Sequence, residues 1–458
     1  MGGPPDRAPA GGVLIINARR LTGPPVAVRT AGDRIAETGA DLVAKPGETV
    51  IDARGGTLIP GLWDHHIHLR ATVAAAASIR VGPPQVRTPE EFRAVLAAAT
   101  PQPDGWIRAV GYHNSVTGDL DRHTLDAVVP HVPLRIQHRS GAMWFVNSVG
   151  LAALGQADHP TGQLFRQDTQ VAAATAGSAT AFGPLSARLS AHGVIGVTEA
   201  TPNLTAADLD SLDDAVGEGQ IRQRVMVMSV DSGREHPNLG FGPVKRILDD
   251  DTLDLDGLSE WVAAVHHRGS AVAMHCVTVA QLVVATTALR TVGVHAGDRI
   301  EHAAVVPETM IGDLVELGVT VVTQPNFVAE RGDEYLRDVP ASEHEELWRL
   351  RTLQSAGVPV AGSTDAPFGD LDPWAAMRAA RDRRTVSGSE ISISEQISGA
   401  AAVNLFLGEP GDPGTPRELT AGSAADLCLL SASPEVVLRE LDGELVSATV
   451  IGGELMKR

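Results

Sequence analysis

Between residues 258 and 362 the sequence alternates two textures on a regular beat. Helix-like segments at Leu258–Arg268, Ala280–Val292, Val306–Leu317 and Glu345–Ala356 alternate with short apolar runs at Ala271–Met274, Arg299–His302, Val319–Thr323 and Val358–Gly362. Near-continuous apolar strands between amphipathic helices signal a parallel sheet covered on both faces. Repeated this often, the rhythm favours a (β/α)8 TIM barrel over an open sheet. The two ends of the chain read differently. Short β-rich runs (Val13–Ile16, Val26–Arg29, Thr49–Ile51) are separated by Gly/Pro turns, and the same texture returns at Asp426–Leu430 and Ala448–Ile451. That is antiparallel patterning, and it predicts one small β-sandwich built from both termini.

The expected fold class is therefore α/β, with residues 1–60 and 405–458 forming the sandwich and 61–404 the barrel. Residues 76–170 fit the rhythm poorly and carry Pro83-Pro84 and Pro101–Pro103; they read as early barrel units with long loops forming a lid. Residues 1–12 read as a loose Gly/Pro/Ala-rich tail and not a signal peptide. No apolar run approaches the ~20 residues a membrane helix needs. A net charge of −19 argues against nucleic acid and anionic membrane as partners. Two cysteines, Cys276 and Cys428, give no disulfide framework, so a cytoplasmic location is expected. Cys276 adjoins His275 but alternates to the other side of its strand, where core is expected. A homo-oligomer acting on a small molecule completes the expectation.

The densest chemical motif is Asp64-His65-His66-Ile67-His68. His66 and His68 stand two apart on an expected strand, so both rings point to one side, where two neutral imidazoles make half a metal site. His65 should point the other way. Three further residues share one geometry: His275, His302 and Asp365 each lie at the C-terminal end of, or just beyond, an expected strand. In a (β/α)8 barrel that rim is where active sites are built. Most other histidines (His123, His131, His159, His192, His236, His266, His267, His344) fall in helices or loops and take the ordinary structural reading.

Of 37 basic residues only Lys45, Lys245 and Lys457 are lysines. Arginine stays protonated, whereas a lysine amine can become neutral in a suitable site. A neutral amine can add carbon dioxide and become a carbamate, an anionic donor able to bridge two metal ions. Lys245 precedes His275 by 30 residues and His275 precedes His302 by 27, each about one βα unit, so the three should come from successive strands. Glu199, after the apolar run before it in Gly196–Ala200, is the rival bridging carboxylate.

The set His66, His68, Lys245, His275, His302 and Asp365 resembles the binuclear site of the amidohydrolase superfamily. Leu58–Leu69, Trp106–Gly111, Phe145–Leu151, Gly242–Asp249, Arg299–Ala303, Gly362–Pro367 and Ala421–Leu430 resemble its amidohydrolase-3 branch, which contains N-substituted formamide deformylases. The length and the 76–170 region are also similar to phenylurea and thiocarbamate hydrolases. The resemblance implies a distorted barrel with a terminal sandwich and a carboxylated Lys245 made with carbon dioxide or bicarbonate. It implies two divalent ions, zinc foremost, with cobalt, manganese or iron as alternatives. His66 and His68 would hold one ion, His275 and His302 the other, with Asp365 on the first.

The implied activity is hydrolysis of a non-peptide C–N bond of amide, carbamate or urea type through a metal-activated bridging hydroxide. Asp365 would pass the proton to the leaving amine. Glu301 and Asp64 are candidates to hold imidazole N–H groups. His113, Trp144 and Asn326 are candidate substrate contacts, and Trp106, Met143, Trp144 and Phe145 favour a largely neutral substrate. The chain departs from the pattern around Ser140–Trp144, where many relatives carry a histidine; His113 would compensate or be an ordinary loop histidine. A mononuclear deaminase, a lactone or ester hydrolase, and a scaffold protein without a site are the alternatives.

Overall fold

The computed structural model describes residues 12–167, 171, 181–229 and 234–456. Lys457 and the tail expected at the N-terminus, apart from Gly12, lie outside those residues. The fold is mixed α/β and divides into two compact units, Met1–His68 with Gly183–Arg458, and Leu69–Phe182.

In the first unit the two ends of the chain meet in one eight-stranded sheet. Its order is Glu454–Met456, Val446–Ile451, Leu427–Leu430, Thr57–Pro60, Val13–Arg19, Pro25–Ala31 and Arg34–Gly39, with Thr49–Asp52 also beside Val13–Arg19. The join is antiparallel, with Leu429 opposite Leu58 and Leu427 opposite Pro60. Alternation explains the pairing: Val13 and Ile15, Leu427 and Leu429, with Val28, Leu58 and Val450, put every second side chain into one apolar cluster.

The rest of that unit carries two parallel sheets. One runs Leu239–Phe241, Arg224–Val227, Val194–Glu199, Leu62–Ile67; the other runs Val244–Ile247, Val272–Cys276, Arg299–His302, Thr320–Thr323, Val360–Gly362. Beyond Val360–Gly362 the chain pairs with the His66 strand: Asp365 N donates to His66 O and Ala366 O accepts from His68 N, both at 2.9 Å. Three of the four expected helices are present, as Leu255–His267, Val279–Val292 and Glu308–Leu317. Asp254 caps Leu255–His267 and Thr278 caps Val279–Val292, each accepting from a backbone N–H of the first turn.

One expected helix is broken. Glu345–Ala356 is a 3-10 turn, Ala341–Glu346, followed after a gap by the short helix Arg351–Ala356. Leu347, Trp348 and Leu350 are buried in between. The carbonyls of Leu347 and Trp348 are taken by the buried Arg383 guanidinium at 2.9 and 3.0 Å. Burying a tryptophan and satisfying those carbonyls outweighs the helical periodicity of the sequence.

The second unit corrects the reading of residues 76–170 as early barrel units. Gln163–Phe165, Met143–Val146, Leu134–His138, Ile107–Tyr112 and Ile79–Arg80 pair with one another in that order. The first two pairings are antiparallel and the last two parallel. Ile107, Ala109, Leu134, Ile136 and Phe145 pack on Phe92 and Leu96 of the helix Pro89–Ala97. Trp106, Trp144, Val146, Leu151 and Leu164 form a second cluster. The unit thus has its own sheet and core. The turn that redirects the chain is His138–Ala142, where Gly141 takes a φ of 79° that most residues avoid.

Candidate metal centre

Six residues singled out in the sequence converge in the first unit. His66 is fully buried near the end of Leu62–Ile67, and His68 follows on the same side. Their rings are 5.5 Å apart; His302 lies 4.8 Å from His66, and His275 lies 4.5 Å from His302. Four imidazoles therefore form one continuous row. Register sets two of them: Ile247 is opposite His275, and Cys276 is opposite His302. His302 and Asp365 have φ of 71° and 52°, which turns each away from the strand course. Such backbone costs roughly 1–2 kcal/mol for an L-residue, a strain typical of functional sites.

Asp365 Oδ1 lies 3.6 Å from His66 Nε2 and 3.4 Å from His68 Nε2. Both separations are long for hydrogen bonds, and this buried oxygen makes none. The donor atoms of His66, His68 and Asp365 all lie within 4.8 Å of one another. Burial holds the His66 and His302 imidazoles well below their usual pKa, so both are neutral and keep a lone pair. Converging lone pairs repel one another unless a cation joins them, and this donor set fits a divalent ion.

The outer hydrogen bonds choose the tautomers. His66 Nδ1 bonds the Glu301 carboxylate, which leaves Nε2 facing Asp365. His302 Nδ1 bonds Gln324 Oε1 at 2.7 Å, and Gln324 Nε2 donates to Ser363 Oγ at 2.8 Å. His68 Nδ1 meets Thr201 Oγ1 at 3.0 Å. This is the usual support for metal-binding histidines. Glu301 does hold an imidazole N–H, that of His66 on a strand of the other parallel sheet and not that of its neighbour His302. Asp64 has a different job. It accepts from the Thr364 backbone N–H and hydroxyl and from the His66 backbone N–H, tying the Asp365 loop to the His66 strand. Burial raises its carboxyl to about 7.

Lys245, on Val244–Ile247, is 6% exposed, and its Nζ lies 2.9 Å from His66 Nε2. Burial pushes its amine down to about 8, against the upward pull of the Asp365, Glu301 and Glu199 carboxylates. Glu199 is also buried and accepts from Thr201 N at 2.8 Å, so it organises the segment that touches His68. His65 is buried with neither ring nitrogen hydrogen-bonded. Cys276 is buried, which pushes its thiol up.

The expected substrate contacts separate. Asn326 is buried in the first unit and donates Nδ2 to the carbonyl of Thr364, next to Asp365, at 3.0 Å. His113 and Trp144 belong to the second unit. His113 bonds Ser115 Oγ at 2.8 Å, and Trp144 is a buried core residue with the Arg108 and Arg135 guanidiniums over its ring. Sequence reasoning missed Gln324, Thr201 and Arg299. Gln324 directly follows the strand Thr320–Thr323, so the strand-end rule that found His275 and His302 would have found it too.

The amidohydrolase family profile matches residues 49–456, and the chain belongs to that family. It is 25% identical to the N-substituted formamide deformylase of Arthrobacter pascens over 94% of each chain. Among solved structures, an uncharacterized metal-dependent hydrolase from Pyrococcus horikoshii OT3 superposes with a TM-score of 0.71 at 19% identity, covering 93% of this chain and 98% of that one. Atrazine chlorohydrolase TrzN from Arthrobacter aurescens TC1, complexed with zinc, superposes with a TM-score of 0.56 at 15% identity, covering 97% and 94%.

Proposed function

We propose that the protein is a metal-dependent hydrolase of a non-peptide C–N bond in a small, largely neutral molecule. The observation that carries this reading is the convergence of His66, His68 and Asp365 on one point, with Asp365 Oδ1 buried and without a hydrogen bond. The relative named as an N-substituted formamide deformylase supports the choice of bond.

His66, His68 and Asp365 would hold one divalent ion, and His275 with His302 a second. Lys245, once its neutral amine has added carbon dioxide and released a proton, would offer a carboxylate to both. Zinc is the first expectation. A bound divalent ion supplies Lewis acidity to the scissile carbonyl and brings the pKa of water toward neutrality. Asp365 then takes a proton from the attacking water and delivers it to the leaving nitrogen. Glu301 and Gln324 keep the His66 and His302 rings turned. The two parallel sheets are read as a distorted (β/α)8 barrel and the terminal sheet as part of a sandwich. The two unpaired thiols support a reducing, cytoplasmic setting.

The test is a hydrolysis screen of metal-replete protein with added bicarbonate, using N-substituted formamides, ureas, carbamates and matched esters, alongside metal analysis. Cleavage of the C–N series with two ions per chain is expected. Cleavage of esters alone would overturn the bond assignment. One ion per chain, unchanged in Lys245→Ala, would overturn the binuclear centre and the bridging role of Lys245.

A further inference from the structure

Arg299 begins the strand Arg299–His302 and is 1% exposed. Its Nε donates to Glu301 Oε1, and its Nη2 donates to Glu301 Oε2 at 3.2 Å and to the carbonyl of His65 at 2.6 Å. Glu301 Oε2 also bonds His66 Nδ1. One guanidinium thus reaches His66 twice, through Glu301 to its ring and through the His65 peptide to its backbone. Arg299 and Glu301 stand two apart on one strand, so both side chains leave on the same side. A buried Arg–Glu pair is weak support for a fold, because apolar residues of similar volume often serve as well or better. Arg299 Nη1 is buried without a hydrogen bond, so the guanidinium is not placed for its own satisfaction.

We propose that Arg299 is a positioning residue for the metal centre. It locks Glu301 so that Glu301 fixes the Nδ1–H tautomer of His66, and it pins the peptide that carries His66. A planar fork is required, since the two targets, a carboxylate and a carbonyl, must be held at once. The inference rests on His66 as a metal ligand.

The test compares Arg299→Met, Arg299→Lys, Glu301→Gln and the Met/Gln double variant with the wild type. Zinc affinity is measured by chelator competition, and the His66 tautomer by 15N NMR of metal-free protein. Arg299→Met is expected to weaken zinc binding about 10–100-fold, to mix the His66 tautomers, and to lower the melting temperature because Glu301 is left buried without its cation. Arg299→Lys should fall between the two, keeping the Glu301 contact and losing the grip on His65. The double variant should bind somewhat more weakly than Glu301→Gln, because the grip on His65 is also lost, but by less than the product of the two single losses, because the other route of Arg299 runs through Glu301. Wild-type affinity and an unchanged tautomer in Arg299→Lys overturn the proposal, as do losses that multiply in the double variant. That comparison decides the matter even if Arg299→Met does not fold. Should the wild type bind no divalent ion, the metal assignment falls and takes this proposal with it.

Discussion

The parallel strands of the first unit and the mixed sheet of Leu69–Phe182 use polar residues in opposite ways. In the former, side chains at strand ends meet one another: His66, Lys245, His275 and His302 come from four strands and share one cluster with Asp365. In the latter, the singled-out residues serve their own surroundings. Trp144 fills a core under two guanidiniums, and His113 closes a turn on Ser115. A histidine or tryptophan becomes a functional candidate through what the other strand ends bring beside it. Its residue type alone does not suffice.

Four changes test that contrast, in falling order of effect. Asp365→Asn should lower turnover about 10²–10⁴-fold, the usual scale for losing a positioned proton carrier. A variant within tenfold of wild type would remove Asp365 from the chemistry. Trp144→Ala should cost about 3–5 kcal/mol, as for other large-to-small core changes, read by denaturant unfolding. Zinc bound per folded chain should stay constant, and a parallel loss of zinc would erase the distinction between the two regions.

Lys245 gives the third test, through pH. Burial pushes its amine down to about 8, below the 10.5 of a free lysine. Between those values the unfolded chain binds more protons, so metal-free, carbon dioxide-free protein should gain stability as pH rises from about 8 to 10.5. Lys245→Met should lack that gain; an identical pH profile would show the amine to be solvated. The smallest effect belongs to His113→Ala, expected within about 0.5 kcal/mol of wild type in stability and with zinc affinity unaltered. A strong loss of zinc binding would restore His113 as a site residue.

Much of this was legible in the sequence because strand ends are local. The βα rhythm places His275 and His302 one unit apart, and the two-residue period puts His66 and His68 on one side. The 76–170 region was misread because its prolines and glycines hide a sheet whose partners lie close in sequence yet pair both ways, which periodicity cannot distinguish. The helix expected over Glu345–Ala356 failed for a related reason: Arg383, distant in sequence, captures the carbonyls that the helix would have used.

Sequence alone determined the donor inventory: which imidazoles, which carboxylate and the one lysine between Lys45 and Lys457. Hydrophobic period and strand-end position are enough for that, since both are properties of short windows. Only the tertiary structure decided which atoms of those residues face one another. Glu301 turned out to serve His66 and not its neighbour His302, Asp64 to tie a loop, and Arg299 to join two strands. Those assignments depend on the spatial register of strands far apart in the chain, and burial then fixes their protonation; neither is written in any local stretch.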